Sequence, residues 1–470
     1  MMKKLFEDWA GEQCLDIQPL SAHGSNRLYY RLKGQNKQCL LAKNGDVREN
    51  EAFLYYSDFF IERGVAVPKV YSVDSTKTMY LLEDLGNITL YDFLQAKKNN
   101  NTPFDGEVVD VYKRVIDSLL DIQFLGRDAN FSNSYPRAAF DTQSICWDLN
   151  YFKYHFLKLA YIPFDEQLLE NDCNTFATYL SAIDSGYFLY RDFQSRNIML
   201  HNNSLYFIDY QGGRRGALHY DLASLLFDAK AEMPNQLREQ LLDYYVSKLG
   251  DRQTVDKEQF KQEFYCFVLL RIMQAMGAYG YRGFYEGKEH FVRSIAPAVA
   301  NMQWLIENKE PMLDIPHLKM VWNSIVHSAF LADKVAKLEE ASKLTVSINS
   351  FSFKRGYPQD ASGNGGGFVF DCRALPNPGR YQQYKNITGK DQPVIEFLEK
   401  EPEVKEFLTL VFGVVAKSVR KYRDRKFISL QVNFGCTGGQ HRSVYCAEQL
   451  ANYIKSNFDC NVVVRHLEQE

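Results

Sequence analysis

The sequence predicts an α+β domain of two lobes followed by a smaller α/β domain. Three changes of pattern along the 470 residues carry that expectation. Residues 1–90 hold short apolar runs broken by turns, with one helical stretch among them. From about 105 to 340 the apolar spacing is that of helices. From about 342 onward strands and helices alternate, the mark of a separate α/β unit. A chain of this length also exceeds what one hydrophobic core accommodates.

In the first lobe, about 1–86, the runs 28–32, 38–43, 67–73 and 78–83 read as strands, and about 50–63 as a helix. The second lobe, about 87–340, begins near a polar loop at 97–103. Pro234 near its start and Gly250 just past its end frame a helix over 233–249. Trp304 and Trp322 fall in further helical segments and are expected in the core. The second domain, 344–470, opens on a strand at 344–348. A glycine-rich tip (363–367) and a turn cluster (376–379) follow. Helices near 394–398 and 403–419, a strand at 427–434, a Gly-rich loop, a helix at 443–456 and a strand at 461–464 complete it. No internal repeat is present.

Composition narrows the class. With 46% hydrophobic and 24% charged residues and a net charge of -3, nothing calls for a nucleic-acid or acidic-membrane partner. No apolar run approaches the roughly 18 residues that span a bilayer. Residues 1–9 begin basic but lack the apolar stretch of a signal peptide. Nine cysteines with no C-x-x-C pair argue against a zinc site or a disulfide scaffold, and for a reducing cytoplasm.

The chemistry concentrates in residues 190–197 (Y-R-D-F-Q-S-R-N) and 208–211 (I-D-Y-Q). Asp192 is placed as a general base for a substrate hydroxyl. Asn197, five residues on, and Asp209, on the next strand, are placed to hold a metal that bridges the phosphates of ATP. Oxygen-only coordination shared with phosphates indicates Mg2+. Arg196, inside the same loop, is a second catalytic candidate. The first domain is therefore expected to be protein-kinase-like, an ATP-dependent phosphotransferase with an alcohol group as acceptor.

The nucleotide side is less sharply marked. The loop 21–27, with Ser25 and Asn26, could fold its backbone N–H groups over phosphates. Lys43 ends an apolar strand where the α- and β-phosphates would lie, with Glu51 as its ion-pair partner and Glu49 as competitor. The alternative is a solvated Lys and Glu. Glu83 and Leu85 occupy the hinge that would bind the adenine edge. Asp221 is expected to cap the following helix or to brace the catalytic loop. Arg214 and Arg215 either approach the transferred phosphoryl group or form a surface pair.

These strings, together with S-N-R-L-Y-Y-R at 25–31, I-D-Y-Q-G-G-R-R-G at 208–216 and Y-D-L-A-S-L-L at 220–226, resemble the aminoglycoside phosphotransferase/choline kinase-like superfamily. The match is best with its anomeric N-acetylmuramate/N-acetylglucosamine kinase branch, over about 1–335. The resemblance implies a small-molecule sugar substrate phosphorylated at the anomeric hydroxyl. Tyr190 departs from it, since His is usual before Arg-Asp. An aminoglycoside or choline-type kinase is the alternative. Its cationic substrate would need free carboxylates in the cleft, with Asp141, Asp148, Asp165, Glu166, Glu286 and Glu289 available.

In the second domain, residues 435–445 (G-C-T-G-G-Q-H-R-S-V-Y) join a strand to a helix, and a Gly-rich turn at a helix N-terminus is a ready anion site. Cys436 and Arg442 also have the C-x5-R spacing of cysteine phosphatases, for which Asp371, Asp391 and Asp424 are the available general acids. With F-S-F-K-R-G at 351–356, F-D-C-R-A-L-P-N-P at 370–378 and T-G-K-D-Q-P-V at 388–394, residues 344–468 resemble the C-terminal domain of the RapZ family. That resemblance implies binding of a phosphorylated amino sugar such as glucosamine 6-phosphate by Asp371, Arg373, Thr437, Gly438, Gly439, His441 and Arg442. No P-loop sequence occurs, Gly379 stands where His is typical, and 467–470 carry no basic tail. RNA is therefore not an expected partner. The expected whole is a cytoplasmic amino-sugar kinase joined to a phosphosugar-binding domain. A non-catalytic nucleotide-binding adaptor is the other reading.

Overall fold

A computed structural model describes residues 1–20, 27–99, 104–341, 343–360, 367–425 and 427–469. The chain divides into two units, Met1–Val335 and Ala336–Glu470. Ser25 and Asn26, proposed as phosphate-cradling residues, lie outside the described residues.

The first unit begins with α1 (Met2–Ala10) and β1 (Asp16–Pro19), neither of which the sequence reading anticipated. Then come β2 (Leu28–Lys33), β3 (Gln38–Lys43), α2 (Val47–Glu62), β4 (Val70–Val73) and β5 (Met79–Leu82). The five strands form one antiparallel sheet in the order β1-β2-β3-β5-β4. Alternation assigns its faces. Leu32, Cys39, Leu41, Met79 and Leu81 pack with Phe6 and Ala10 of α1. On the opposite face Tyr29, Ala42 and Tyr80 stand in one cross-strand row, and Phe53 of α2 stacks on Tyr80 at 5.1 Å. Helix α2 starts where it does because the Asp46 side chain accepts the Glu49 N–H, a cap worth ~1 kcal/mol.

The second lobe contains α3 (Leu90–Asn99), α4 (Gly106–Leu125), α5 (Thr142–Phe152), α6 (Glu166–Ala182), β6 (Tyr187–Leu189), β7 (Ile198–His201), β8 (Ser204–Phe207), β9 (Arg214–Gly216) and α7 (His219–Leu226). Helices α8 (Asn235–Gly250), α9 (Lys257–Tyr279), α10 (Glu289–Val292), α11 (Ile295–Asn308), α12 (Pro316–Val326) and α13 (Ala329–Ala341) follow. Two short hairpin-like pairs, β6 with β9 and β7 with β8, are set among these helices. Helix α9 is long and is buried on all sides from Phe264 to Leu270 because it is the central pillar, contacted by α5, α7 and α11. Trp322 is fully buried, and Trp304 is only half-buried. This is the bilobal α+β arrangement that the sequence predicts.

The second unit carries β10 (Thr345–Ser352), β11 (Phe368–Asp371), α14 (Gln392–Lys400), α15 (Pro402–Asp424), β12 (Ser429–Cys436), α16 (Arg442–Asn457) and β13 (Asn461–His466). Its four strands are all parallel, in the order β11-β12-β10-β13. Val346, Ile348, Val432 and Phe434 meet Val444, Ala447, Leu450 and Ala451 in the core. The glycine-rich loop lies at the C-terminal end of β12, where parallel sheets place their ligand loops.

Candidate functional site

The segment between β6 and β7 is fixed from three sides. Buried Asp221, in the first turn of α7, accepts the N–H groups of Tyr190 at 2.7 Å and Arg191 at 3.0 Å. Of the two roles read for it, the brace is the one it performs. Burial pushes its carboxyl up to about 7, against the pull of those two N–H groups. Arg191 takes a left-handed φ of 83° and is locked by both nitrogens onto Asp148 at 2.7 Å. Tyr190 is buried and donates its hydroxyl to the Ile208 carbonyl at 2.6 Å. The residue that departs from the usual histidine thus ties the catalytic loop directly to the segment bearing Asp209.

Within that frame Asp192, Asn197 and Asp209 converge. Asn197 Nδ2 donates to the Asp192 carbonyl at 2.8 Å and to Asp209 Oδ2 at 3.2 Å. Gln211 Nε2 donates to Asp209 Oδ1 at 2.7 Å. With its nitrogen committed, Asn197 has its carbonyl oxygen left as a ligand. Burial, and then the charge of Asp192, push the Asp209 carboxyl up. A buried carboxylate beside a second one is stabilised by a cation. Asn197 and Asp209 fit a magnesium ion, which takes few protein oxygens and completes its shell with phosphates and water. Among the described residues no cluster of three or more His, Cys, Asp or Glu for a metal is present. The Arg196 guanidinium stacks on Tyr91 at 4.5 Å.

The nucleotide side corrects one expectation. Lys43 and Glu51 do not pair. Lys43 is exposed, because strand alternation puts it on the α1 face of the sheet, and Glu51 binds Lys77 at 2.6 Å on the surface. The buried pair is instead Arg27 with Glu49, at 3.3 Å. Near the hinge, Glu83 accepts the Lys69 N–H at 3.2 Å and the Leu85 carbonyl meets His201 Nδ1 at 3.0 Å. Arg31 holds this segment through Asp84, at 2.6 and 2.9 Å. Arg215 is exposed over Phe131, whereas Arg214 is buried, with its Nε on the Gly212 carbonyl.

Sequence reasoning missed a small cavity beside loop 190–197, of about 50 Å³. Gln194, Arg271, Tyr279 and Asn301 are among its lining residues. Two buried donors there, Arg271 Nε and Asn301 Nδ2, have no partner among the described residues. These residues come from distant helices and carry no local signal.

In the second unit, Gly439 sits at a left-handed φ of 67° and donates its N–H to Cys436 Sγ at 3.2 Å. Thr437 and Gly438 are exposed at the tip of the loop. Asp371 and Arg373 hold each other at 2.6 Å, and His441 Nε2 meets the Tyr384 carbonyl at 2.8 Å. Arg442 is only partly committed, its buried Nε having no partner among the described residues. It is buried, and Nη1 clasps the carbonyls of Arg373 at 2.7 Å and Leu375 at 3.0 Å. Asp371 and Asp391, two of the available acids, are occupied with Arg373 and Thr388.

The phosphotransferase enzyme family matches residues 16–256, and the RapZ C-terminal domain matches residues 344–470. A nucleotide-binding protein of Marinobacter nauticus is 34% identical over 175 residues, 37% of this chain and 57% of that protein. One of Ralstonia nicotianae is 43% identical over 130 residues, 28% of this chain and 42% of that protein. The chain thus spans about half the length of the curated relatives it matches. Among solved structures, a spectinomycin phosphotransferase with ADP and spectinomycin aligns over 70% of this chain and 98% of its own, at 12% identity and TM-score 0.43. A Plasmodium vivax ethanolamine kinase aligns over 68% and 84%, at 14% identity and TM-score 0.40.

Proposed function

Because this chain belongs to the phosphotransferase enzyme family, we propose that it transfers the γ-phosphoryl of ATP to a hydroxyl of an acylated amino sugar, at the anomeric position. The observation that carries the transfer is the convergence of Asp192, Asn197 and Asp209 on a loop braced by Asp221 and Tyr190. Asp192 takes the acceptor proton. Asn197 and Asp209 hold magnesium, which when bound offsets charge on the phosphates. Tyr190 seated on the Ile208 carbonyl keeps the loop intact, which weighs against a purely non-catalytic adaptor.

For the acceptor, the six carboxylates that a cationic substrate would need are engaged elsewhere. Asp148 is locked to Arg191, Asp141 pairs with Arg137, and Asp165 caps α6. Glu166, Glu286 and Glu289 pair with Lys153, Lys288 and Arg293. The cavity beside Gln194 offers donors instead, at Arg271 Nε and Asn301 Nδ2. Buried donors of this kind favour an acceptor oxygen such as an acyl carbonyl or carboxylate. That supports N-acetylglucosamine or N-acetylmuramate over aminoglycosides or choline.

The second unit is assigned the binding of a phosphorylated amino sugar, supported by the exposed Gly-rich loop at the start of α16. Joined to a sugar kinase, it would report on phosphosugar supply. The test is ATP consumption by the full-length protein with magnesium on N-acetylmuramate, N-acetylglucosamine, glucosamine, kanamycin and choline. Turnover confined to the acetylated sugars is expected. Turnover on kanamycin or choline alone sinks the acceptor assignment, and silence on all with ATP still bound returns the adaptor. An unchanged KM and kcat at saturating glucosamine 6-phosphate would exclude regulation in cis.

A further inference from the structure

We propose that Arg27 supplies the cation that grips the phosphates of ATP, in place of a lysine on β3; this rests on the ATP-dependent reading above. The sheet register is the first reason. Tyr29, Ala42 and Tyr80 are cross-strand partners and share the face against α2. Arg27 and Arg31 share the parity of Tyr29, and Arg31 does reach the hinge side through Asp84, Gly86 and Asn87. The β3 position on this face is therefore Ala42, which has no charge to offer. Lys43, one residue on, belongs to the other face.

The surroundings of Arg27 are the second reason. Its guanidinium is buried, pairs with Glu49 at 3.3 Å and lies over the Phe53 ring at 5.7 Å. Glu49 is itself held by Asn44 Nδ2 at 2.6 Å, and stands in the capped first turn of α2. Arg27 thus sits in a carboxylate-held position against α2, beside Glu49 and Phe53. A planar, permanently charged fork there suits two phosphate oxygens at once.

The experiment titrates the full-length protein with ATP and magnesium, and separately with adenosine, by calorimetry. Arg27→Met is expected to weaken ATP by about 10–100-fold, the effect of one charge-assisted contact. Adenosine affinity should hold within about threefold, since adenosine carries no phosphate for Arg27 to grip. Arg27→Lys should recover part of the loss, and Arg27→Met with Ala42→Lys should recover more. Lys43→Met should bind as the parent does. Undiminished ATP binding in Arg27→Met, or equal loss of ATP and adenosine, overturns the proposal, as does a loss in Lys43→Met. A parent that binds no ATP overturns the kinase reading and this one with it.

Discussion

The two candidate sites of this chain handle anions from opposite starting points. Around Asp192 and Asp209, like charges are brought together in a buried setting and an amide oxygen is left open. At the Gly-rich loop of the second unit, most of the charged groups already have partners within the protein, with Arg442 Nε left over. Arg373 is on Asp371, Arg442 is on two carbonyls, and His441 is on the Tyr384 carbonyl. The first site is unbalanced until cation and nucleotide arrive, which suits a transfer reaction. The second is largely matched when empty, so a ligand there must compete with internal partners, which suits reversible sensing.

The contrast can be broken most severely at Asp192. Asp192→Asn should cut turnover by about 10³-fold or more while ATP affinity stays within a few-fold, read by steady-state assay and calorimetry. In the second unit the largest effect should be on stability. Arg442→Met strands two buried carbonyls, and a loss of about 2–4 kcal/mol is expected in urea unfolding followed on that unit. If stability is unchanged and only phosphosugar binding falls, Arg442 is a ligand group and the contrast fails.

A smaller effect sharpens the acceptor side. Asn301→Ala should raise the KM for N-acetylglucosamine by about tenfold, with glucosamine and ATP unaffected. Smaller still is a pH effect at the brace. Asp221 has a folded value of about 7 against an ordinary 3.8. The folded state therefore binds more protons between those values, and the stability this group contributes is full below about pH 4 and lost as pH rises to about 7. Melting temperatures of the parent should fall relative to Asp221→Asn from pH 5 to pH 7 and run parallel above. The slightest change belongs to Asp371→Asn, which frees Arg373 on the surface. Phosphosugar affinity should rise a few-fold, as expected for release of an exposed pair.

What the sequence disclosed follows from how local each feature is. The convergence of Asp192, Asn197 and Asp209 is encoded in a spacing of 17 residues, so it was legible. Asp221 was legible for the same reason, as a carboxylate opening a helix. Lys43 was misread because strand parity, not the end of an apolar run, decides which face a side chain takes, and the run 38–43 carries apolar residues on both faces. Arg27, which shares parity with Tyr29 and Arg31, carried a signal that went unused. Arg271 and Asn301 could not be found: they meet Gln194 only through the packing of α9 and α11. Helix α1 carried a helical signal that went unused, with Met2, Leu5, Phe6, Trp9 and Ala10 on the face that covers the sheet.

The parallel sheet of the second unit sets the order in which it can form. Strand β10 is synthesised first, yet its neighbours are β12 and β13, with Ser347 opposite Gln431 and Val463. No hairpin can anticipate those pairings, since parallel neighbours need long crossovers. On the ribosome β10 must therefore wait, one edge until residues 429–436 and the other until residues 461–466 have been made. The antiparallel sheet of the first unit, with β2 and β3 joined by a short turn, has no such delay. A nascent chain arrested near residue 440 should hold a protease-resistant first unit followed by a second that is still open to cleavage.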